Sequence, residues 1–129
     1  GDVRRDHILI DRKTGKWTWI DFDINYRHRE NIYGYDLFGL GNVLLYLAGK
    51  GDVLLRDLKD SENPALDRLE EGDLNIIFRP RVANLKKIYE YVPDSLNSIL
   101  LHFSRGTNWF YETTGQLAED LGEFLKRDF

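Results

Sequence analysis

Two apolar runs near the start of the chain, HILID (7–11) and KWTWIDFD (16–23), are rich in β-branched and aromatic residues and flank the polar stretch RKTG. Such runs on either side of a short loop whose glycine, here Gly15, can adopt positive φ predict a two-stranded β-hairpin. Strand side chains alternate, so Ile20 and Phe22 are expected on one face and Trp19, Asp21 and Asp23 on the other. Trp17 and Trp19 are expected to pack, as aromatic residues in hairpins usually do. Beyond the polar connector YRHRENIYG the period changes. Residues 35–51, YDLFGLGNVLLYLAGKG, are apolar nearly all round, which predicts a buried central helix ending at Gly49 in a left-handed cap. Gly39 and Gly41 each cost about 1 kcal/mol relative to alanine inside a helix, so the pair predicts close approach of another backbone or side chain.

From there the pattern is helical with intervening loops. DVLLRDLKD (52–60) predicts a short amphipathic helix, and a second short helix is expected to begin near Pro64. In RVANLKKIYEYV (81–92), Val82, Leu85, Ile88 and Tyr89 fall at helical spacing and predict another helix. PDSLNSILLHFSRG (93–106) places Pro93 in a first turn, carries a stripe of Leu96, Ile99, Leu100 and Phe103, and is expected to end at Gly106. Thr113 and Gln116 have the spacing of a capping box ahead of a last helix, whose apolar face is Leu117, Leu121, Phe124 and Leu125. The predicted fold class is therefore mainly α with a small β-hairpin, in one domain over residues 1–129.

Composition narrows the chemistry. A chain of 129 residues with 42% hydrophobic content and 31% charged residues can bury one core. A net charge of -4 gives no general attraction to nucleic acid or anionic membranes, and the basic clusters at Arg4-Arg5, Arg27-His28-Arg29 and Arg79-Pro80-Arg81 are short. The Arg27 to Arg29 group reads as a solvated loop or, alternatively, as a grip on phosphate or an acidic substrate. With no cysteine, disulfides, thiolate catalysis and cysteine-ligated zinc are excluded, which agrees with a cytoplasmic setting. No apolar run approaches the roughly 18 residues that span a bilayer. The chain contains no methionine and opens on Gly1-Asp2, so it is expected to be part of a longer product.

The candidate chemistry lies in carboxylates. Asp21 and Asp23 end an apolar strand, and residues two apart in a strand are about 6.6 Å apart, so both can address one cation. Burying a carboxylate there costs several kcal/mol unless it is paired or bound to metal. Asp2 precedes the first strand, His7 begins it, and Asp36 opens the central helix, where the helix dipole favours an anion. Together these segments resemble the protein-kinase-like superfamily. GDVRRDHILID resembles its catalytic loop and following strand, IDFD its metal-binding aspartate motif, and DLFGLGNVLLYL its central helix, which opens with an aspartate followed five residues later by glycine. Residues 92–125 resemble, more weakly, the last helices of that superfamily's large lobe.

The resemblance covers nearly the whole chain but only the C-terminal, large lobe. It implies an N-terminal lobe ahead of Gly1 with the Gly-rich loop, strand lysine and partner glutamate that grip ATP. It also implies roles by position. Asp2 would orient or deprotonate the attacking hydroxyl, and Arg4 would steady the transferred phosphate. Asp21 would hold Mg²⁺ on the ATP phosphates, and Asp36 would accept backbone hydrogen bonds from the catalytic loop. The implied function is γ-phosphate transfer from ATP to a hydroxyl acceptor, with no nucleic acid or membrane partner. His7 stands where the family has its second metal-binding asparagine, and imidazole suits Mn²⁺ or zinc better than Mg²⁺. His7 and Asp23 are thus candidate metal ligands with Asp21, although His7 also reads as a structural histidine and Asp23 as a turn residue. Thirteen residues, 23 to 35, separate Phe22 from Asp36, too few for a long activation loop and peptide platform. The pattern favours a divergent serine/threonine-kinase-like member or a relative of the aminoglycoside and choline kinases. The alternatives are a pseudokinase scaffold without catalysis, and a metal-dependent hydrolase using Asp2, His7, Asp21 and Asp23.

Overall fold

The computed structural model describes residues 8–19 and 34–128. Strands β1 (Ile8–Ile10) and β2 (Trp17–Trp19) pair antiparallel with Ile8 opposite Trp19 and Ile10 opposite Trp17. The turn follows from its residues. Asp11 Oδ1 accepts from Lys13 N at 2.8 Å and Thr14 N at 3.3 Å, and Gly15 takes φ 72°. Those two backbone donors hold the Asp11 carboxyl below its ordinary range.

Four α-helices follow among the described residues: α1 (Gly34–Ala48), α2 (Leu55–Asp60), α3 (Asp94–Leu101) and α4 (Thr114–Asp128). Short 3-10 turns at Pro64–Arg68, Glu71–Asp73 and Leu85–Lys87 join them. Among the described residues the chain is thus mainly helical with a small two-stranded antiparallel sheet.

Helix α1 is apolar all round because it serves two cores. Leu45 belongs to a cluster with Val53, Leu58, Val82, Leu85, Val92 and Leu100, whereas Leu37 belongs to another with Ile99, Phe103, Tyr111 and Leu117. Leu44 packs against both. The expected close approach is made by Phe103: a Cβ built on Gly41 would lie 2.3 Å from its ring. Gly41→Ala should therefore destabilise the fold by about 1–3 kcal/mol, the usual cost of overpacking. Phe103→Leu should recover part of that loss in the double variant, measured by urea unfolding. Additive losses would mean that the ring is not the obstacle.

The end of α1 differs from expectation. The left-handed residues are Lys50, at φ 55°, and Gly51, at φ 136°, not Gly49. Gly51 N bonds Tyr46 O at 2.9 Å and Lys50 N bonds Leu47 O at 3.3 Å, the two bonds of a Schellman closure with Lys50 in the strained place. Gly49 serves a different need, since a Cβ there would meet Val53 Cγ2 at 2.8 Å.

Residues 81–92 are not a helix. Arg81 and Val82 form bridges to Leu54 and Leu74, and only Leu85–Lys87 makes a 3-10 turn. Groups that a helix would pair internally are engaged elsewhere: Arg81 O accepts from Asn75 N, and Lys86 N bonds Asn97 Oδ1. Val82, Ala83 and Leu85 are all fully buried. Helix α3 similarly stops at Leu101 rather than Gly106. Phe103 O accepts from Ile76 N, Arg105 N bonds Leu74 O and Gly106 N bonds Gly72 O, which draws the chain out of the helix. Helix α2 is shorter than predicted because Val53 and Leu54 are taken by bridging to residues 81–82.

The last helix begins as its sequence predicts. Thr113 Oγ1 accepts from Gln116 N at 3.2 Å, and Gln116 Oε1 accepts from Thr113 N at 3.2 Å. Leu117 is buried, and Leu121 and Phe124 pack beside it, but Leu125 is exposed because its place on the helix turns away from α3. Thr113→Ala should cost about 1 kcal/mol, seen as a lower melting temperature with the native spectrum retained.

Candidate functional site

Every residue assigned a chemical role from the sequence except Asp36 lies outside the described residues: Asp2, Arg4, His7, Asp21 and Asp23, and with them Arg27 to Arg29. The described elements border these positions along the chain. Strand β1 begins directly after His7, β2 ends two residues before Asp21, and α1 follows the connector. Asp36 sits in the first turn of α1, half-buried, with its Oδ1 shielded from solvent. An acid there is favoured by the helix dipole.

The hairpin carries a correction. Ile8, Ile10, Trp17 and Trp19 share one face by register, yet Trp17 is 55% exposed and Trp19 38%. These tryptophans do not pack into the core. With three residues per strand the sheet is too short to form a core of its own.

Among the described residues two polar assemblies stand out. The first is a cleft of about 300 Å³ between α3 and α4, with Ile99 and Phe124 in its wall and His102, Asp120 and Glu123 at its polar edge. Its polar groups are largely committed. His102 Nδ1 lies 2.8 Å from Trp109 O, and since a carbonyl only accepts, that nitrogen carries the proton. The His102 ring meets the edges of Trp109 and Tyr111 at 4.6 and 4.7 Å. Tyr111 OH donates to Asp120 Oδ2 at 2.7 Å, and burial followed by this bond raises the phenol far above its ordinary range. Ser98 donates back to Asp94 O at 2.9 Å, and Arg127 lies 3.7 Å from Glu123. Ser95 Oγ, also in the lining, donates to Asp128 Oδ2 and so joins α3 to α4, whereas the other bonds stay within one helix or tie a helix to residues 109–111.

The second assembly is buried. Asp73, 8% exposed, accepts from Lys87 Nζ at 2.7 Å, Glu70 N at 2.8 Å and Asn84 Nδ2 at 2.9 Å. Asn84 Oδ1 in turn accepts from Asn97 Nδ2 at 2.8 Å, and Asn97 Oδ1 accepts from Lys86 N at 3.1 Å. Burial works to raise the Asp73 pKa, but the bonds from Lys87, Glu70 N and Asn84 outweigh it and hold the carboxyl below its ordinary range. This chain ties the loop after α2 to α3 and closes under the first core. Sequence reasoning missed it, because its members stand 11 to 14 residues apart with no local periodicity to join them.

Among the described residues no group of three or more His, Cys, Asp or Glu side chains is placed to hold a metal ion, and no helix is long and apolar enough to cross a membrane. No family model, curated protein or solved structure matches the chain.

Proposed function

We propose that the chain is the large lobe of an ATP-dependent phosphotransferase of the protein-kinase-like kind, acting in the cytoplasm on a hydroxyl acceptor. One observation carries the reading: GDVRRDHILID, IDFD and DLFGLG occur in that order. The first bears strand β1, and the third is a helix buried between two cores, with Asp36 in its first turn and Gly41 against Phe103. A helical body with one small hairpin is the fold class this lobe requires.

The assigned roles follow from what phosphoryl transfer demands. Little covalent chemistry is needed from the protein, so positioning and charge compensation do most of the work. Asp2 orients the acceptor hydroxyl and takes its proton, and Arg4 offsets charge on the phosphate in flight. Asp21 and Asp23 are hard oxygen donors of the kind Mg²⁺ prefers, whereas His7 suits Mn²⁺ better. The metal supplies charge neutralisation on the ATP phosphates when bound.

A specific observation favours a second reading. His7 replaces the family's second metal-binding asparagine, and a scaffold that had lost catalytic metal chemistry would tolerate that exchange. The test is a longer protein carrying the upstream lobe, assayed for transfer of the γ-phosphate of ATP in Mg²⁺ and in Mn²⁺. Transfer in either metal upholds the first reading. Nucleotide binding without transfer selects the scaffold, and absence of both overturns the kinase-like assignment.

A further inference from the structure

We draw no further inference here: the strongest candidate, the exposed apolar face of the β1–β2 hairpin formed by Ile10, Trp17 and Trp19, lies open to solvent, and nothing in the structure shows what covers it.

Discussion

Asp73→Ala should destabilise the protein by about 1–3 kcal/mol, the cost of stranding the donors it serves, with Lys87, one-third exposed, regaining part of its hydration. The substitution leaves Lys87 Nζ, Glu70 N and Asn84 Nδ2 without the acceptor they share, and each stranded donor carries its desolvation cost. Asp73→Asn should lose less, because the shape and one acceptor survive, but its amide donor must face Asn84 or the Lys87 side. Urea unfolding followed by circular dichroism measures both variants. A Asp73→Ala loss under 1 kcal/mol would mean that the network adds nothing beyond shape.

The same residue sets an acid limb. Its carboxyl titrates near 3.8 in the unfolded chain and lower in the folded one. Between those two values the unfolded state binds more protons, so stability falls as pH is lowered. The contribution is whole at pH values above the unfolded pKa and is lost as pH falls through the folded value. Asp73→Ala should therefore flatten that part of the stability curve as well as lower it. A variant whose acid limb keeps the parent's slope would place the titrating group elsewhere.

Under the proposed phosphotransferase reading, Asp2→Ala in a longer protein that carries an upstream lobe should lower phosphate transfer on the order of 10²–10⁴-fold, the range associated with a general base. A carboxylate that only orients and deprotonates the acceptor makes no contact with the nucleotide. The ATP dissociation constant and the circular dichroism spectrum should accordingly stay as they are. Asp21→Ala should behave differently, weakening metal-dependent nucleotide binding along with turnover. His7→Asn should move the metal preference from Mn²⁺ toward Mg²⁺, since an amide oxygen replaces an imidazole nitrogen. Undiminished transfer by Asp2→Ala would remove the base from the mechanism.

Much of the fold was legible in short stretches, and the boundary of that legibility is physical. The hairpin, α1 and the capped start of α4 were readable because each is determined by neighbours within a few residues. The Thr113 and Gln116 box closes over one turn, Gly15 relieves one torsion, and an all-apolar helix has no alternative to a central position. The glycine of α1 was legible as a contact, though not the identity of its partner. The failures are of one type. Residues 81–92 have helical spacing, but Val82 N bonds Val53 O 29 positions away, Ala83 N and Asn84 N bond Asp73 O 10 and 11 positions away, and Lys86 N bonds Asn97 Oδ1 11 positions away, which holds the segment in bridges and a single 3-10 turn. Helix α3 is shortened by pairings of the same kind.

The candidate chemistry divides along the same line. The sequence alone determined which residue types stand in which order: carboxylates at Asp2, Asp21 and Asp23, a histidine at His7, an acid heading a buried helix, and the mainly helical class of the chain. Those are properties of composition and local period, and no folding is needed to read them. Only the tertiary structure decided that Lys50 rather than Gly49 takes the left-handed turn, that Phe103 fills the notch at Gly41, and that Asp73 collects donors from its own turn and from the distant turn at residues 84–87. Each depends on groups brought together by collapse of the two cores, where a bond's value is set by burial and by which distant partner arrives, and neither is encoded in any short window of the chain.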